Sequence, residues 1–279
     1  MNTIIITTDF SEPAMNAARY AAGLAEAVGI SRMVLYHSYY VPVATDVPVV
    51  EADLALAHEE SLSALETLEQ EIHLILEQDS GMIIDLVTNN VPLVTGVKQL
   101  AGQQLAGLVV AGTTGKSRLE KFLSGSNTTS LASSCPVPLL IVPKEATFEP
   151  VRKVIFACDL KQVSRSTPVG EIGWWLEHLE ADLLVLNVAL ADRRFDPDTI
   201  PQQYKIHELL DSFHPEYHYS EGDDIIEEIT GFAEEEGAGL VITIPKTYGF
   251  FEGLFHRSVS KRLAGKTEVP LLLLKDKDL

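Results

Sequence analysis

The chain has 279 residues, of which 46% are hydrophobic, and its 40 acidic and 21 basic residues give a formal net charge of −19. This charge argues against binding to nucleic acid or to an anionic membrane, since both depend on a basic protein surface. No apolar run reaches the roughly 20 residues that a membrane-spanning helix needs, and the N-terminus lacks the basic segment of a signal peptide. We therefore expect a cytoplasmic globular protein. Cys135 and Cys158 form no metal or redox motif and are expected to be reduced core residues.

The first half of the chain alternates β-branched apolar runs with helical patterns. We predict strands at 4–8, 33–38, 82–88, 105–112 and 137–143, and helices at 12–29, about 52–78, about 92–104 and just after Gly125. The first helix has Ser11 as its N-cap, Pro13 in its first turn and Gly29 at its end. The helix from 52 carries an apolar stripe from Leu62 to Ile75. Apolar strands that alternate with helices indicate a parallel sheet covered on both faces.

A linker at 144–153 is followed by the same pattern a second time. Residues 154–160 repeat the first strand and its turn, 181–189 the second strand, 237–244 the fourth and 268–275 the fifth. The offset falls from 150 residues (Asp9 to Asp159) to 132 (Pro138 to Pro270), because the second copy has shorter inserts. This repeat predicts two tandem, Rossmann-like, doubly wound α/β domains with five-stranded parallel sheets, at residues 1–145 and 151–279.

Doubly wound sheets bind ligands at the carboxyl ends of their strands, where the strand order reverses, commonly beside the first strand. The first strand ends at Thr7-Thr8-Asp9, and the fourth leads into VVAGTTGKSRLEKFLSGSNTTS at 109–130. Three of the seven basic residues in 1–145 lie in that stretch, at Lys116, Arg118 and Lys121. Their clustering beside glycines favours an anion site over a solvated basic turn.

The letters GTTGKS look like the end of a P-loop, but the spacing is wrong. A P-loop requires G-x-x-x-x-G-K-[ST] at the entrance of a long helix. Here the position of the first glycine is occupied by Val110, and Ser124-Gly125-Ser126 interrupts any helix soon after Leu123. No later strand end in this half supplies an Asp for magnesium. We therefore reject a P-loop enzyme.

What remains is the spacing G-x2-G-x9-G-[ST], formed by Gly112, Gly115 and Gly125-Ser126. Glycines let backbone N–H groups approach phosphate oxygens without a Cβ in the way, and the following helix N-terminus favours an anion. Together with ITTDFSE (6–12), MVLYHS (33–38) and CPVPLLIVP (135–143), this spacing resembles the universal stress protein family, and the resemblance extends over both halves. It implies that the N-terminal domain binds ATP or another adenine nucleotide.

The resemblance also implies ligand contacts at ten positions: Thr7, Thr8, Asp9, Ser38, Gly112, Gly115, Lys116, Gly125, Ser126 and Asn127. The glycines and Ser126 would hold the phosphates and the ribose. Asp9 would lie by the ribose and phosphates and help to hold a divalent cation, Mg²⁺ or Mn²⁺. Thr8 and Ser38 would line the adenine pocket, although the family more often has Val at the position of Ser38.

The second copy lacks the glycine spacing. Aligned from the closing prolines, Gly112 falls near Ile244-Pro245, and Gly125-Ser126 falls on Arg257-Ser258. A proline and an arginine in place of close-approach glycines should obstruct a triphosphate, so we expect this domain not to bind ATP in the family's manner. An alternative is that Lys246 and Arg257 hold another anion. We place His214 and His218 on a strand and expect no metal there.

The favoured hypothesis is a tandem universal stress protein that acts as a nucleotide-dependent sensor or switch. The sequence shows no constellation of a nucleophile and a general base, so at most a slow ATPase is expected. The alternatives are that slow ATPase and a scaffold that acts through protein contacts without nucleotide. By resemblance, the closing strands would pair antiparallel and make the chain a pseudo-dimer, with a homodimer and an unidentified protein partner as further expectations.

Overall fold

The computed structural model describes residues 1–39, 51–77, 80–104, 106–113, 127–190, 197–244 and 269–275. The chain divides into two compact units. The first unit consists of Met1–Thr113 and Ser134–Phe148, and the second of Thr114–Ser133 and Glu149–Leu279. Within the described ranges, no helix is both long and apolar enough to cross a membrane.

The first unit contains a parallel five-stranded sheet. Its elements are β1 (Thr3–Thr7), α1 (Glu12–Ala27), β2 (Arg32–Ser38), α2 (Glu51–His73), β3 (Ile83–Asn89), α3 (Leu93–Gln103), β4 (Leu108–Thr113) and β5 (Leu139–Pro143), and α4 (Asn127–Ser134) lies between β4 and β5 in the chain. The strand order is β3-β2-β1-β4-β5, and each neighbouring pair is parallel. Every residue of β1 is buried, as expected of a central strand in a sheet covered by helices.

The helix that begins at Glu51 ends at His73 rather than near residue 78. Leu65, Leu68 and Ile72 are fully buried, whereas the side chain of Ile75 is 42% exposed. The amide of Ile75 donates to the carbonyl of Ile72 at 2.9 Å, a bond over three residues that tightens the chain after the helix. The buried part of the predicted apolar stripe therefore ends one turn earlier than its sequence periodicity indicates.

The second unit repeats the order of the first. Its elements are β6 (Lys153–Ala157), α5 (Val163–Ser166), α6 (Val169–Leu179), β7 (Asp182–Leu190), α7 (Thr199–Leu210), a 3-10 turn (Asp211–Phe213), β8 (Glu216–Gly222), α8 (Ile225–Glu236), β9 (Leu240–Thr243) and β10 (Leu271–Leu273). The strands follow the order β8-β7-β6-β9-β10 and are all parallel. The predicted fold, a doubly wound parallel sheet built twice, is confirmed.

The strand registers show which residues of the two units are equivalent. Ile4 lies opposite Leu108 in the first unit, and Val154 lies opposite Leu240 in the second. The offsets of 150 and 132 found in the sequence therefore hold in the structure. By this equivalence the place of Gly112 is taken by Ile244 in the second unit.

Two smaller predictions have different outcomes. Cys135 and Cys158 are both buried, as predicted. His214 is not on a strand: it follows the 3-10 turn with φ of 49°, while His218 lies in β8. The two histidines therefore do not share a strand, and the described residues contain no group of three or more His, Cys, Asp or Glu side chains suited to a metal.

Candidate functional site

The strand order reverses at β1, which lies between β2 and β4. Ile6 is opposite Val110, so Thr8 and Gly112, each two residues further on, follow at the same edge of the sheet. The hydroxyl of Thr7 donates to the carbonyl of Val110 at 3.0 Å and ties the two strand ends together. A crevice at such a switch point is where doubly wound sheets bind ligands. The structure thus brings Thr7, Thr8, Asp9 and Gly112 to one edge, as the sequence predicts.

The turn after β1 fixes the carboxylate of Asp9. Phe10 has φ of 59°, in the left-handed region, and its amide donates to the Thr8 hydroxyl at 2.9 Å. Asp9 Oδ1 accepts from the amide of Ser11 at 3.0 Å and from its hydroxyl at 2.5 Å. Asp9 itself is exposed, and its Oδ2 takes no part in these bonds. One carboxylate oxygen therefore orients the side chain, and the other is not used by the hydrogen bonds of the turn.

Ser11 occupies the N-cap position of α1, as predicted, but its hydroxyl makes no capping bond to the helix. The same hydroxyl is committed to Asp9 instead. Pro13 lies in the first turn, and Gly29 follows the helix with φ of +70°. The residue that a sequence pattern assigns to helix capping therefore serves to orient the candidate ligand-binding carboxylate.

Gly112 is required by packing. A Cβ built at this position would lie 2.3 Å from the carbonyl oxygen of Pro13 and 2.9 Å from the amide nitrogen of Ala14. The first turn of α1 therefore rests directly on the end of β4, at a distance that only glycine permits. The sequence predicts a glycine for close approach to phosphate here; the structure adds that this glycine also seats the helix that follows Asp9.

The end of β2 contributes Ser38, whose hydroxyl is already occupied. It donates to the carbonyl of Val91 in the segment between β3 and α3. In the same strand, the Tyr36 hydroxyl donates to Asn89 Oδ1 at 2.8 Å. Ser38 thus lies at the predicted edge of the sheet, but its side chain secures the neighbouring loop, which leaves the backbone as its means of contacting a ligand.

A chain of hydrogen-bonded polar side chains next to this edge, half-buried except for the buried Ser61, was not predicted. His37 Nδ1 is 2.7 Å from the hydroxyl of Ser61 in α2, and that hydroxyl also hydrogen-bonds with Thr88 in β3. Burial lowers the pKa of His37, and the charge of Asp9 opposes this lowering in part. The ring of Phe10 packs edge-on against the imidazole with 4.6 Å between ring centres. His37 is therefore a neutral, fixed side chain beside the Asp9 turn at pH 7.

The remaining predicted contact residues all follow β4 in the chain. Gly115, Lys116, Gly125 and Ser126 lie outside the described residues. Asn127 is the first residue of α4 (Asn127–Ser134), which follows β4 in the chain; its side chain also lies outside the description. The predicted short helix after Gly125 is confirmed by α4.

The second unit repeats the turn but not the glycine. Leu160 has φ of 53°, and the amide of Lys161 donates to Asp159 Oδ1 at 3.1 Å, as in the Asp9 turn. Cys158 Sγ replaces the Thr8 hydroxyl as acceptor, at 3.4 Å from the amide of Leu160. Asp159 is half-buried, whereas Asp9 is exposed. The backbone conformation of the turn is thus retained in the second unit, whereas its side chains and their burial differ.

The fold and site define a doubly wound α/β protein with a polar crevice at the switch point between β1 and β4. The model of the universal stress protein family matches residues 1–143, more than half of the chain. The chain belongs to the universal stress protein family.

Solved structures extend this likeness of fold to the whole chain. A universal stress protein from Archaeoglobus fulgidus is 18% identical, with 98% of each chain covered and a TM-score of 0.73. A functionally unknown protein from Pseudomonas aeruginosa is 15% identical over 100% of this chain and 94% of its own, with a TM-score of 0.61. A universal stress protein solved in complex with cAMP covers 51% of this chain, at 19% identity and a TM-score of 0.40. Among curated proteins, no sequence matches this chain.

Proposed function

We propose that this chain is a tandem universal stress protein whose first unit binds an adenine nucleotide, ATP in the favoured case, and acts as a nucleotide-dependent switch in the stress response. One observation carries the proposal: in the order β3-β2-β1-β4-β5, the turn that contains Thr8 and Asp9 and the end of β4 at Gly112 lie at the same edge of the sheet, at its switch point. Ligands of doubly wound proteins bind in this crevice.

The chemistry of the crevice suits a nucleotide. The exposed Asp9 carboxylate, oriented by Ser11, can accept hydrogen bonds from ribose hydroxyls. The segment that follows Gly112 carries Lys116, Arg118 and Lys121 within an otherwise acidic half, which supplies positive charge for phosphates. We propose the phosphate contacts at Gly115, Gly125 and Ser126 on the strength of their spacing alone.

A divalent cation fits the same site through Asp9. Mg²⁺ is commonly held by one or two carboxylates together with substrate phosphates and water. Asp9 offers one carboxylate oxygen beyond the one used in its turn, so the nucleotide itself would have to supply the other ligands. We propose that Mg²⁺ or Mn²⁺ enters with the nucleotide and strengthens its binding rather than occupying the crevice alone.

The second unit is proposed not to bind nucleotide in this manner. Ile244 stands where the first unit has Gly112, a position that has no room there for a Cβ. The helix after Asp159 is also interrupted, since α5 ends at Ser166 and α6 begins at Val169. One nucleotide per chain is therefore the expected stoichiometry.

Calorimetric titration of the full chain with Mg·ATP tests the proposal. We expect one site per chain, and at least tenfold weaker binding in Asp9→Asn, because the amide keeps the turn but neither carries charge nor holds a cation. Asp159→Asn is the matched control and should bind as the unchanged protein does. Mass spectrometry of nucleotide released on denaturation gives a second readout. No released nucleotide together with no binding at millimolar ATP would overturn the proposal in favour of a scaffold.

The same variants separate binding from hydrolysis. Steady phosphate release that is abolished by Asp9→Asn and retained by Asp159→Asn would identify a slow ATPase. Binding without phosphate release is the result expected of a switch.

A further inference from the structure

The helix after the first strand is continuous in the first unit and broken in the second. α1 runs unbroken from Glu12 to Ala27, with Ala17 and Ala18 fully buried. At the equivalent positions the second unit has Thr167 and Pro168. Thr167 is extended, with φ of −88° and ψ of 112°. Proline accounts for the break, because it lacks an N–H and disfavours helical geometry in the residue before it.

A small pocket lies at this break. It occupies about 240 Å³, counting the space that opens to solvent, and is lined by the end of β6, the end of β9 and the break itself. The lining residues that matter here are Asp159, Ser166, Thr167, Thr243 and Ile244. The pocket is therefore the second unit's counterpart of the crevice at Asp9, reshaped by a different strand end and a different helix.

Two buried hydroxyls in this lining have no hydrogen-bond partner among the described residues. They are Thr167 Oγ1 and Thr243 Oγ1, on side chains that are 1% and 4% exposed. The neighbouring Ser166 hydroxyl, in contrast, donates within its own helix turn to the carbonyl of Gln162 at 3.1 Å. A buried hydroxyl without a partner destabilises the folded state. Two such groups on residues that line the same pocket therefore indicate an occupant that bonds to both.

The chemistry of the lining selects the kind of occupant. A threonine hydroxyl can donate one hydrogen bond and can also accept hydrogen bonds. The only charged side chain in the described lining is the carboxylate of Asp159. An anion is therefore disfavoured. Ile244, at the position of Gly112, excludes the close backbone approach that a phosphate chain would need. The pocket is also small for a nucleotide.

We propose that this pocket is a second binding site, selective for an uncharged hydroxyl group that bridges Thr167 and Thr243. Such a group can come from an ordered water, which typically makes about three hydrogen bonds when buried, or from a small alcohol or polyol. The proposal does not depend on nucleotide binding in the first unit.

Paired valine substitutions test the bridge. Thr167→Val and Thr243→Val keep the shape of each side chain and remove its hydroxyl. We expect either change to lower the melting temperature by about 2–4 °C, and the double variant to be no worse than the stronger single one, because the first change already breaks the bridge. Unchanged or raised melting temperatures in both single variants would overturn the proposal, since they would mean that the hydroxyls have no occupant to lose.

Thr7→Val is the matched control for these variants. Thr7 is also a buried threonine, at the end of a central strand, but its hydroxyl donates to a protein carbonyl. Its substitution should lower the stability of the first unit by the same amount whether or not Thr167 is changed.

Methyl NMR on the unchanged full chain identifies the source of the hydroxyl and does not depend on variants that fold. Cross-relaxation between water and the γ-methyls of Thr167 and Thr243, in buffer without alcohols, identifies an ordered water. Saturable shifts of these methyls and of the δ-methyl of Ile244 with ethylene glycol, absent with 1,2-dimethoxyethane, identify an alcohol site. The shift of the Ile244 methyl should be lost in the double variant, which keeps this reporter. If neither signal is seen, the pocket holds no hydroxyl ligand and the proposal is wrong.

Discussion

The turns at Asp9 and Asp159 have nearly the same backbone, yet they open onto different sites. Each turn has a left-handed residue, at Phe10 and Leu160, and an Asp Oδ1 that accepts from the amide two residues on. The difference lies on the neighbouring strand, where Gly112 is replaced by Ile244. In a doubled fold, the turn that frames a site can therefore persist while a single residue on the adjacent strand decides what the site admits.

Exchange of the two strand-end residues should have the largest effect. Gly112→Ile would place a branched side chain where even a Cβ lies 2.3 Å from Pro13, so we expect a loss of roughly 3 kcal/mol or more in the free energy of unfolding, with loss of nucleotide binding. Urea denaturation measures the first effect and calorimetry the second. Gly102→Ala is the control, because a Cβ there meets nothing within 4 Å; it should change stability by less than about 1 kcal/mol. A stable Gly112→Ile variant that binds ATP would refute the packing role of this glycine.

The helix break can be moved from one unit to the other. Ala18→Pro introduces the proline of the second unit into the middle of α1, where it removes a helical hydrogen bond, and should cost about 3 kcal/mol. Pro168→Ala, the reverse change, should alter the free energy of unfolding by less than about 1 kcal/mol, because the extended Thr167 is held by its surroundings as well as by proline. Urea denaturation of both variants measures this asymmetry. A cost of less than about 1 kcal/mol for Ala18→Pro would instead show that α1 tolerates a proline at this position.

Sequence patterns were sufficient for the architecture and insufficient for the side-chain contacts of the site. Alternating apolar runs predict the bounds of nine of the ten strands and the repeat, because the central strands are buried on both faces and leave a continuous signal. β8 contains no fully buried residue, and a strand was expected there only as the location of His214 and His218. The contact between Gly112 and Pro13 depends on how closely α1 rests on β4, which no local pattern encodes. The bond between His37 and Ser61 joins residues 24 positions apart and depends on where α2 packs. Pro168, in contrast, indicates the helix break from the sequence alone, because proline disfavours helical geometry.

His37 should make the stability of the first unit depend on pH, whereas the equivalent position in the second unit should not. Its equivalent is Asn187, which donates to the carbonyl of Cys158 at 2.8 Å and does not titrate. Burial lowers the pKa of His37 in the folded state, so the unfolded chain binds the proton more readily. Stability should therefore fall as the pH drops below about 6.5, the ordinary histidine value. The measurement is the difference in urea midpoint between pH 7.5 and 5.5, in the unchanged protein and in His37→Gln.

The other histidines are present in both proteins of that comparison and cancel in the difference. We expect the midpoint of His37→Gln to change less with pH. The same change in both proteins would show that His37 keeps its ordinary pKa despite its burial.

The smallest effect is expected at Ser38, whose equivalent in the second unit is Val188. Ser38→Val removes the hydroxyl that donates to Val91 and should cost about 1 kcal/mol, the usual contribution of one hydrogen bond. Because this hydroxyl is committed to the loop, ATP affinity should change by less than about threefold, within roughly 0.65 kcal/mol. Calorimetry and denaturation on the same sample separate the two effects. A large loss of affinity at unchanged stability would instead show that the Ser38 hydroxyl binds the ligand. The first unit would then owe part of its selectivity to a hydroxyl that the second unit lacks, because Val188 stands at the equivalent position.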